Sequence, residues 1–182
     1  MQSGGEQTAG KHCRAQSISV TDLFTIGVGP SSSHTVGPMR AAFDFARTLA
    51  DQGAKVERVE CDLYGSLALT GRGHGTDVAV MLGLAGWQPE RVDPDTVPGI
   101  IGAIRSLRDL ALCGQTVIHF VEETDLRFRR DTFLPAHPNA LELTAHLCDG
   151  TTVSQRYYSI GGGAIIKEGY MEIGRASCRE RV

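Results

Sequence analysis

At Gly114 the spacing of apolar residues changes, and this switch limits what the chain can fold into more than any other feature. Before it, apolar residues recur every three or four positions; after it, they alternate. Upstream, VGPMRAAFDFARTLA (36–50) sets Met39, Ala42, Phe43, Ala46, Leu49 and Ala50 on one face, which predicts an amphipathic helix stopped near Gly53. VERVECDLYG (56–65) alternates loosely through Val56, Val59, Cys61 and Leu63 and predicts a strand buried mainly on one face. GSLALTGRGHGTD (65–77) reads as a glycine-rich link into a short apolar helix, DVAVMLGLAGW. PGIIGAIRSLRDLALCG then keeps Ile100, Ile104, Leu107 and Leu110 or Ala111 in helical register behind Pro98. Nearer the start, SVTDLFTIG (19–27) predicts a helix with Val20, Leu23, Phe24 and Ile26 on one side and Ser19 or Thr21 as its cap.

Beyond Gly114, QTVIHFVEETDLRFRRD (115–131) alternates about a short acidic turn. ALELTAHLCDGTTVSQRYYSI (140–160) alternates on both sides of Asp149-Gly150, a two-residue hairpin signal. The sequence therefore predicts an α/β (α+β) fold. It is a two-layer sandwich, with helices on one face of a mixed, mainly antiparallel sheet closed by two hairpins. At 182 residues one domain is expected. Residues 18–169 hold it. Residues 1–17, polar and without periodicity, read as a disordered extension or cloning remnant, and 170–182, with its late crowd of arginines, as a non-native vector or frame-shift scar.

A net charge of −3 argues against nucleic acid as a partner, and no run of about 18 apolar residues suits a membrane span. With no signal-peptide pattern, the expected location is the cytoplasm. The five cysteines form no C-x-x-C pair, so neither a disulfide framework nor a metal site made by this chain alone is expected.

Chemistry concentrates in two loops. In GVGPSSSHTVGPM (27–39), Ser31, Ser32, Ser33, His34 and Thr35 precede a helix, where unpaired N–H groups favour a carboxylate or phosphate. One of these hydroxyls as a helix cap, with the rest solvated, explains the loop too; a cap, however, needs only one. In GRGHGTD (71–77), three glycines around His74 allow close backbone approach to a ligand, or simply a mobile turn, while Thr76 or Asp77 caps the next helix. Each loop carries one histidine and precedes a helix. Were those helices neighbours, His34 and His74 would face one pocket as a pair suited to proton transfer near neutral pH. Neighbouring Ser33 and His34 cannot form a nucleophile–base pair, and no G-x-S-x-G elbow occurs. His119, His137 and His146 read as packing or solvent positions. The three glycines of YYSIGGGAI (157–165) permit a sharp exit or line a cleft, and the residues alone do not choose.

Taken in order, SVTDLFTIGVGPSSSHTVGPM, DLYGSLALTGRGHGTD, GLAGW with PGII, and YYSIGGGAI closely resemble the N-terminal β domain of the bacterial iron–sulfur L-serine dehydratases (L-serine ammonia-lyases), single-chain type. The resemblance covers roughly residues 18–168. It implies conversion of L-serine to pyruvate and ammonia at a [4Fe-4S] cluster whose open iron acts as a Lewis acid. It also implies a domain similar to the allosteric substrate-binding domain of some phosphoglycerate dehydrogenases, and a homo-oligomer. By motif, Ser31, Ser33, His34 and Thr35 would hold the serine carboxylate or shape its pocket, with His74 as the second essential imidazole. The cluster ligands belong to a C-terminal catalytic domain that matches nothing in this chain, so the chain alone is expected to be inactive. The rival expectation is a non-catalytic module that binds serine or another small anion as a regulatory signal.

Overall fold

The computed structural model describes residues 31–169. The helix expected over 19–27, the extension 1–17, the tail 170–182, Cys13 and Cys178 lie outside the described residues.

The polar loop enters its helix through a widened turn. A π-helical turn, Ser32–Val36, runs directly into α1, Gly37–Asp51. Pro38 sits in the first turn of α1, where its missing N–H is tolerated. The helix buries Met39, Ala42, Ala46 and Leu49 as expected, and removing side chains such as Met39 and Leu49 from water stabilises the fold by about 1.5–3 kcal/mol each. That apolar line has two flanks. The sequence pattern favours the flank of Phe43 and Ala50, whereas the structure buries Ala41 and Phe45 more deeply. On the Met39, Ala42 and Phe43 side, α3, Thr76–Leu84, lies against α1 so closely that a Cβ on Gly83 would come within 2.3 Å of the Met39 carbonyl oxygen.

The strand expected over 56–65 is β1, Val56–Gly65. The stretch after it differs from expectation, since Ser66–His74 is not a link but a nine-residue helix, α2, with Leu67, Ala68 and Gly71 buried. Its glycines hid it, yet two of them have positional roles. Gly65 (φ 55°, ψ −125°) makes the turn out of β1, and Gly75 (φ 72°) closes α2 in the left-handed conformation.

A single 3₁₀ turn, Pro94–Thr96, leads into α4, Val97–Leu107. The sequence carried this helical register on to Leu110. Instead Arg108 adopts a left-handed conformation (φ 56°) that ends the helix, and Asp109–Leu112 forms β2. β2 pairs antiparallel with β3, Thr116–His119, as a separate two-stranded sheet. The acidic turn is a one-turn helix, α5, Glu122–Asp125, followed by β4, Leu126–Arg129. The first expected hairpin is thereby corrected. Both of its strands exist, but β3 pairs with β2, and β4 pairs parallel to β1. The second hairpin is present as β5, Asn139–Leu147, and β6, Thr152–Gly161. After the glycine triplet the chain turns back as β7, Ala164–Lys167, a strand the sequence reading lacked.

The main sheet runs β4-β1-β5-β6-β7, with one parallel and three antiparallel pairings. Along each strand the alternation separates two faces. Val59, Cys61, Leu63, Leu141, Leu143 and Tyr157 point into the core beneath the helices. On the opposite face, charges from neighbouring strands answer one another. Arg127 bonds Glu60 and Asp62, Arg129 bonds Asp62, and Arg156 bonds Glu142. The fold is the expected two-layer arrangement, with its helices on one side of a mixed, mainly antiparallel sheet.

Candidate functional site

The serine loop and the end of α2 meet where α1 and α3 begin. The π turn leaves main-chain carbonyls without the partners an α-helix would give them. Gly37 N–H donates to Ser32 O, so Ser33 O is left to the Ser159 hydroxyl, which donates to it at 2.7 Å from β6. Pro38 has no N–H to offer His34 O four residues back, and the Thr76 hydroxyl donates there at 2.6 Å. In return the Thr35 hydroxyl donates to His74 O at 3.1 Å. Each histidine loop thus supplies a hydroxyl to the other's backbone, and both threonines are buried (1 % and 0 % exposed).

This reciprocal brace sets the His34 and His74 rings side by side, with centroids 4.9 Å apart and planes tilted by 37°. His34 lies among three serine hydroxyls. Its Nδ1 is 3.0 Å from Ser33 Oγ, so these neighbours reach hydrogen-bond distance although the sequence reading excluded such a pair; Nδ1 is also 3.4 Å from Ser31 Oγ, and Nε2 is 3.0 Å from Ser66 Oγ. Its backbone N–H donates to Ser31 Oγ at 3.3 Å, which makes Ser31 the cap of the turn. Ser32 is exposed. Burial, reinforced by the neighbouring His74 charge and opposed by a hydrogen bond to the Ser66 backbone, holds the His34 imidazole below the usual histidine range and so favours its neutral form. His74 Nδ1 lies 2.9 Å from the Thr70 carbonyl oxygen on its own helix. A carbonyl only accepts, so Nδ1 carries the proton in neutral His74, and Nε2 has no partner among the described residues.

Five positions singled out by sequence, Ser31, Ser33, His34, Thr35 and His74, therefore lie in one cluster, with Thr35 acting through the backbone of His74. Two further members had no clear signal. Ser66 lies in a stretch whose glycines read as a link, and in the structure Gly65-Ser66 is the turn from β1 into α2. Thr76 carried only the signal of a cap, which the structure corrects: α3 is preceded by Gly75 with no side-chain cap bond from Thr76 or Asp77, and the Thr76 hydroxyl goes to His34 O. His137, read as a turn residue, accepts the Asn139 N–H at Nδ1, in the loop whose Pro138 carbonyl takes the Ser66 N–H.

Among the described residues no group of three or more His, Cys, Asp or Glu side chains is arranged to hold a metal ion. Cys61, Cys113 and Cys148 are free, and burial pushes the Cys61 thiol far above its ordinary range. The described residues offer no ligand set for a [4Fe-4S] cluster. No helix among them is long and apolar enough to cross a membrane.

Comparison with known proteins gives a consistent set of matches. A family model described as serine dehydratase beta chain matches residues 19–170. L-serine dehydratase 1 of Escherichia coli (strain K12) is 45 % identical over 154 residues, which are 83 % of this chain and 34 % of that protein. An L-serine dehydratase of Streptomyces coelicolor is 46 % identical over 154 residues, with the same coverage of 83 % and 34 %. One of Helicobacter pylori (strain J99) is 41 % identical over 153 residues, 84 % of this chain and 33 % of that protein. The chain thus spans about a third of the length of the curated relatives it matches.

Proposed function

Because this chain belongs to the serine dehydratase beta chain family, we propose that it supplies the substrate-holding and proton-handling side of an L-serine dehydratase, which converts L-serine to pyruvate and ammonia in the cytoplasm. The observation that carries the reading is the braced pair of imidazoles, 4.9 Å apart, beside hydroxyls at the start of a helix.

Loss of water from L-serine requires removal of the α-proton and departure of the β-hydroxyl; the resulting enamine hydrolyses to pyruvate and ammonia. In this proposal His74 takes a proton at Nε2, the nitrogen not engaged by Thr70. His34, kept neutral by its surroundings, acts as the second imidazole of the pair and orders the serine hydroxyls about it. Ser31 and Ser33 shape the pocket that faces the substrate carboxylate at the start of the turn. Thr35 shapes the site by fixing the His74 backbone. The [4Fe-4S] cluster implied by the resemblance would supply Lewis-acid activation of the hydroxyl, and its ligands belong to the remaining two-thirds of an enzyme like the relatives.

The test is to exchange residues 19–170 for the matching third of the Escherichia coli enzyme and to measure pyruvate released from L-serine anaerobically. The chimera should be active, and His34→Ala or His74→Ala should lower the rate by on the order of 10²-fold or more. Near-normal rates in both variants would sink the assignment. The 182-residue chain alone should release no pyruvate. Calorimetry on it separates the regulatory alternative, because tight binding of L-serine by the isolated chain would favour a sensor over half of an active site. Light scattering on the chimera checks the expected homo-oligomer.

A further inference from the structure

We propose that Ser66 is a positioning residue for His34, holding that ring as the Nε2–H tautomer while His74 is the Nδ1–H tautomer, so that the paired imidazoles carry their protons on opposite nitrogens. The inference deepens the proposed function, on which its catalytic meaning rests, but its geometry stands apart from any substrate.

One hydrogen bond around His34 has a fixed direction, and the proposed tautomer follows from extending that direction through the neighbouring hydroxyls. His34 N–H points at Ser31 Oγ (3.3 Å). Ser31 then has its own O–H to pass on, and Ser33 Oγ lies 3.3 Å away. Ser33 Oγ is in turn 3.0 Å from His34 Nδ1. In the proposed arrangement donation runs one way around this small ring, from backbone N–H to Ser31, to Ser33, to Nδ1, so that each hydroxyl accepts once and donates once. With Nδ1 accepting, the neutral imidazole carries its proton on Nε2, and Ser66 Oγ accepts it at 3.0 Å. The Ser66 hydroxyl keeps its own hydrogen to offer onward.

Ser66 suits this role because its backbone is clamped. It opens α2 directly after Gly65, whose N–H donates to Thr132 O at 3.0 Å, while Ser66 N–H donates to Pro138 O at 2.8 Å. A side chain at position 65 would bring a Cβ within 2.3 Å of that same Pro138 oxygen, so the approach is close because residue 65 is glycine. The result is a division of labour. Both His34 nitrogens are engaged by hydroxyls, whereas His74 has one nitrogen tied to Thr70 and, among the described residues, no partner for the other.

Which nitrogen bears a proton is decided by spectroscopy on the 182-residue chain with ¹⁵N-labelled histidine. Long-range ¹H–¹⁵N spectra at a pH where both rings are neutral should show His34 protonated at Nε2 and His74 at Nδ1. In Ser66→Ala, exchange of the His34 Nε2 proton with water should quicken by on the order of tenfold, the scale of one lost neutral hydrogen bond. Ser66→Thr, which keeps the hydroxyl, should restore it. The His74 pattern should persist in every variant and reports that the fold is intact. Finding His34 protonated at Nδ1 in the unsubstituted chain would overturn the proposal, and so would unchanged exchange in folded Ser66→Ala. Should Ser66→Ala not fold, the unsubstituted chain still decides the tautomer. An inactive chimera with these tautomers intact would instead count against the dehydratase reading and leave the Ser66 assignment standing.

Discussion

Replacing Thr76 by valine removes one hydroxyl from the brace while keeping the side chain's shape. Thr76 is fully buried, and its Oγ1 donates to His34 O at 2.6 Å, the carbonyl that Pro38 cannot serve. Valine fills the same space at the first position of α3, so neither cavity nor helix propensity enters strongly. What remains is an unsatisfied acceptor, whose loss of partner costs about 1–3 kcal/mol. Taking about 2 kcal/mol, and about 2–4 °C per kcal/mol for a chain of this size, the melting temperature should fall by about 6 °C. Urea titration followed by circular dichroism measures the free energy, and an unchanged slope shows that the two end states are still the same ones. Thr35→Val removes the return bond to His74 O, and the double variant closes a cycle whose coupling energy should be nonzero because both bonds hold the same two segments. A Thr76→Val protein within about 0.5 kcal/mol of the original would refute the brace, since substitutions that break no buried bond fall in that range.

Gly65→Ala should destabilise the fold by more than about 1 kcal/mol, because φ is 55° there and the added Cβ would lie 2.3 Å from backbone at Pro138; a melting temperature equal to the original would contradict the turn geometry. The pH dependence follows from the lowered His34 value. The unfolded histidine titrates near 6.5 and the folded one below it, so between those values the unfolded chain binds the extra proton. Stability from this group is therefore lost as pH falls through that window, and it levels off below the folded value. In His34→Gln the loss between about pH 7 and about pH 5 should be smaller than in the original chain, and an identical pH profile would rule out His34 as its source.

Legibility in the sequence followed the physics of each element. α1, β1 and the β5–β6 hairpin were readable because one-sided burial imposes a period, and Asp149-Gly150 announces its own turn; α3 was readable instead as a short apolar run, because it is buried nearly all round. α2 was not, since glycines at 71 and 73 lower helix propensity while burial of Leu67 and Ala68 on the sheet overrides it. The end of α4 was hidden by Arg108, a non-glycine residue with positive φ that no composition rule expects. β3 and β4 were recognisable as strands but not as partners, because alternation records a buried face and says nothing of which strand lies alongside. At the site, the loops named themselves through their crowded polar residues. Ser66 and Thr76 emerged only when the chain was folded, since their partners lie 32 and 42 positions away.

The brace between the two histidine loops has a consequence for what else this site can become. Both of its acceptors are main-chain carbonyls, at positions 34 and 74, and both of its donors come from other residues. The mount does not depend on imidazole. Cysteine, aspartate or glutamine at either position would start from the same pair of anchored backbone points, which makes this corner of the fold a two-socket frame in which the chemistry is exchangeable and the spacing is inherited.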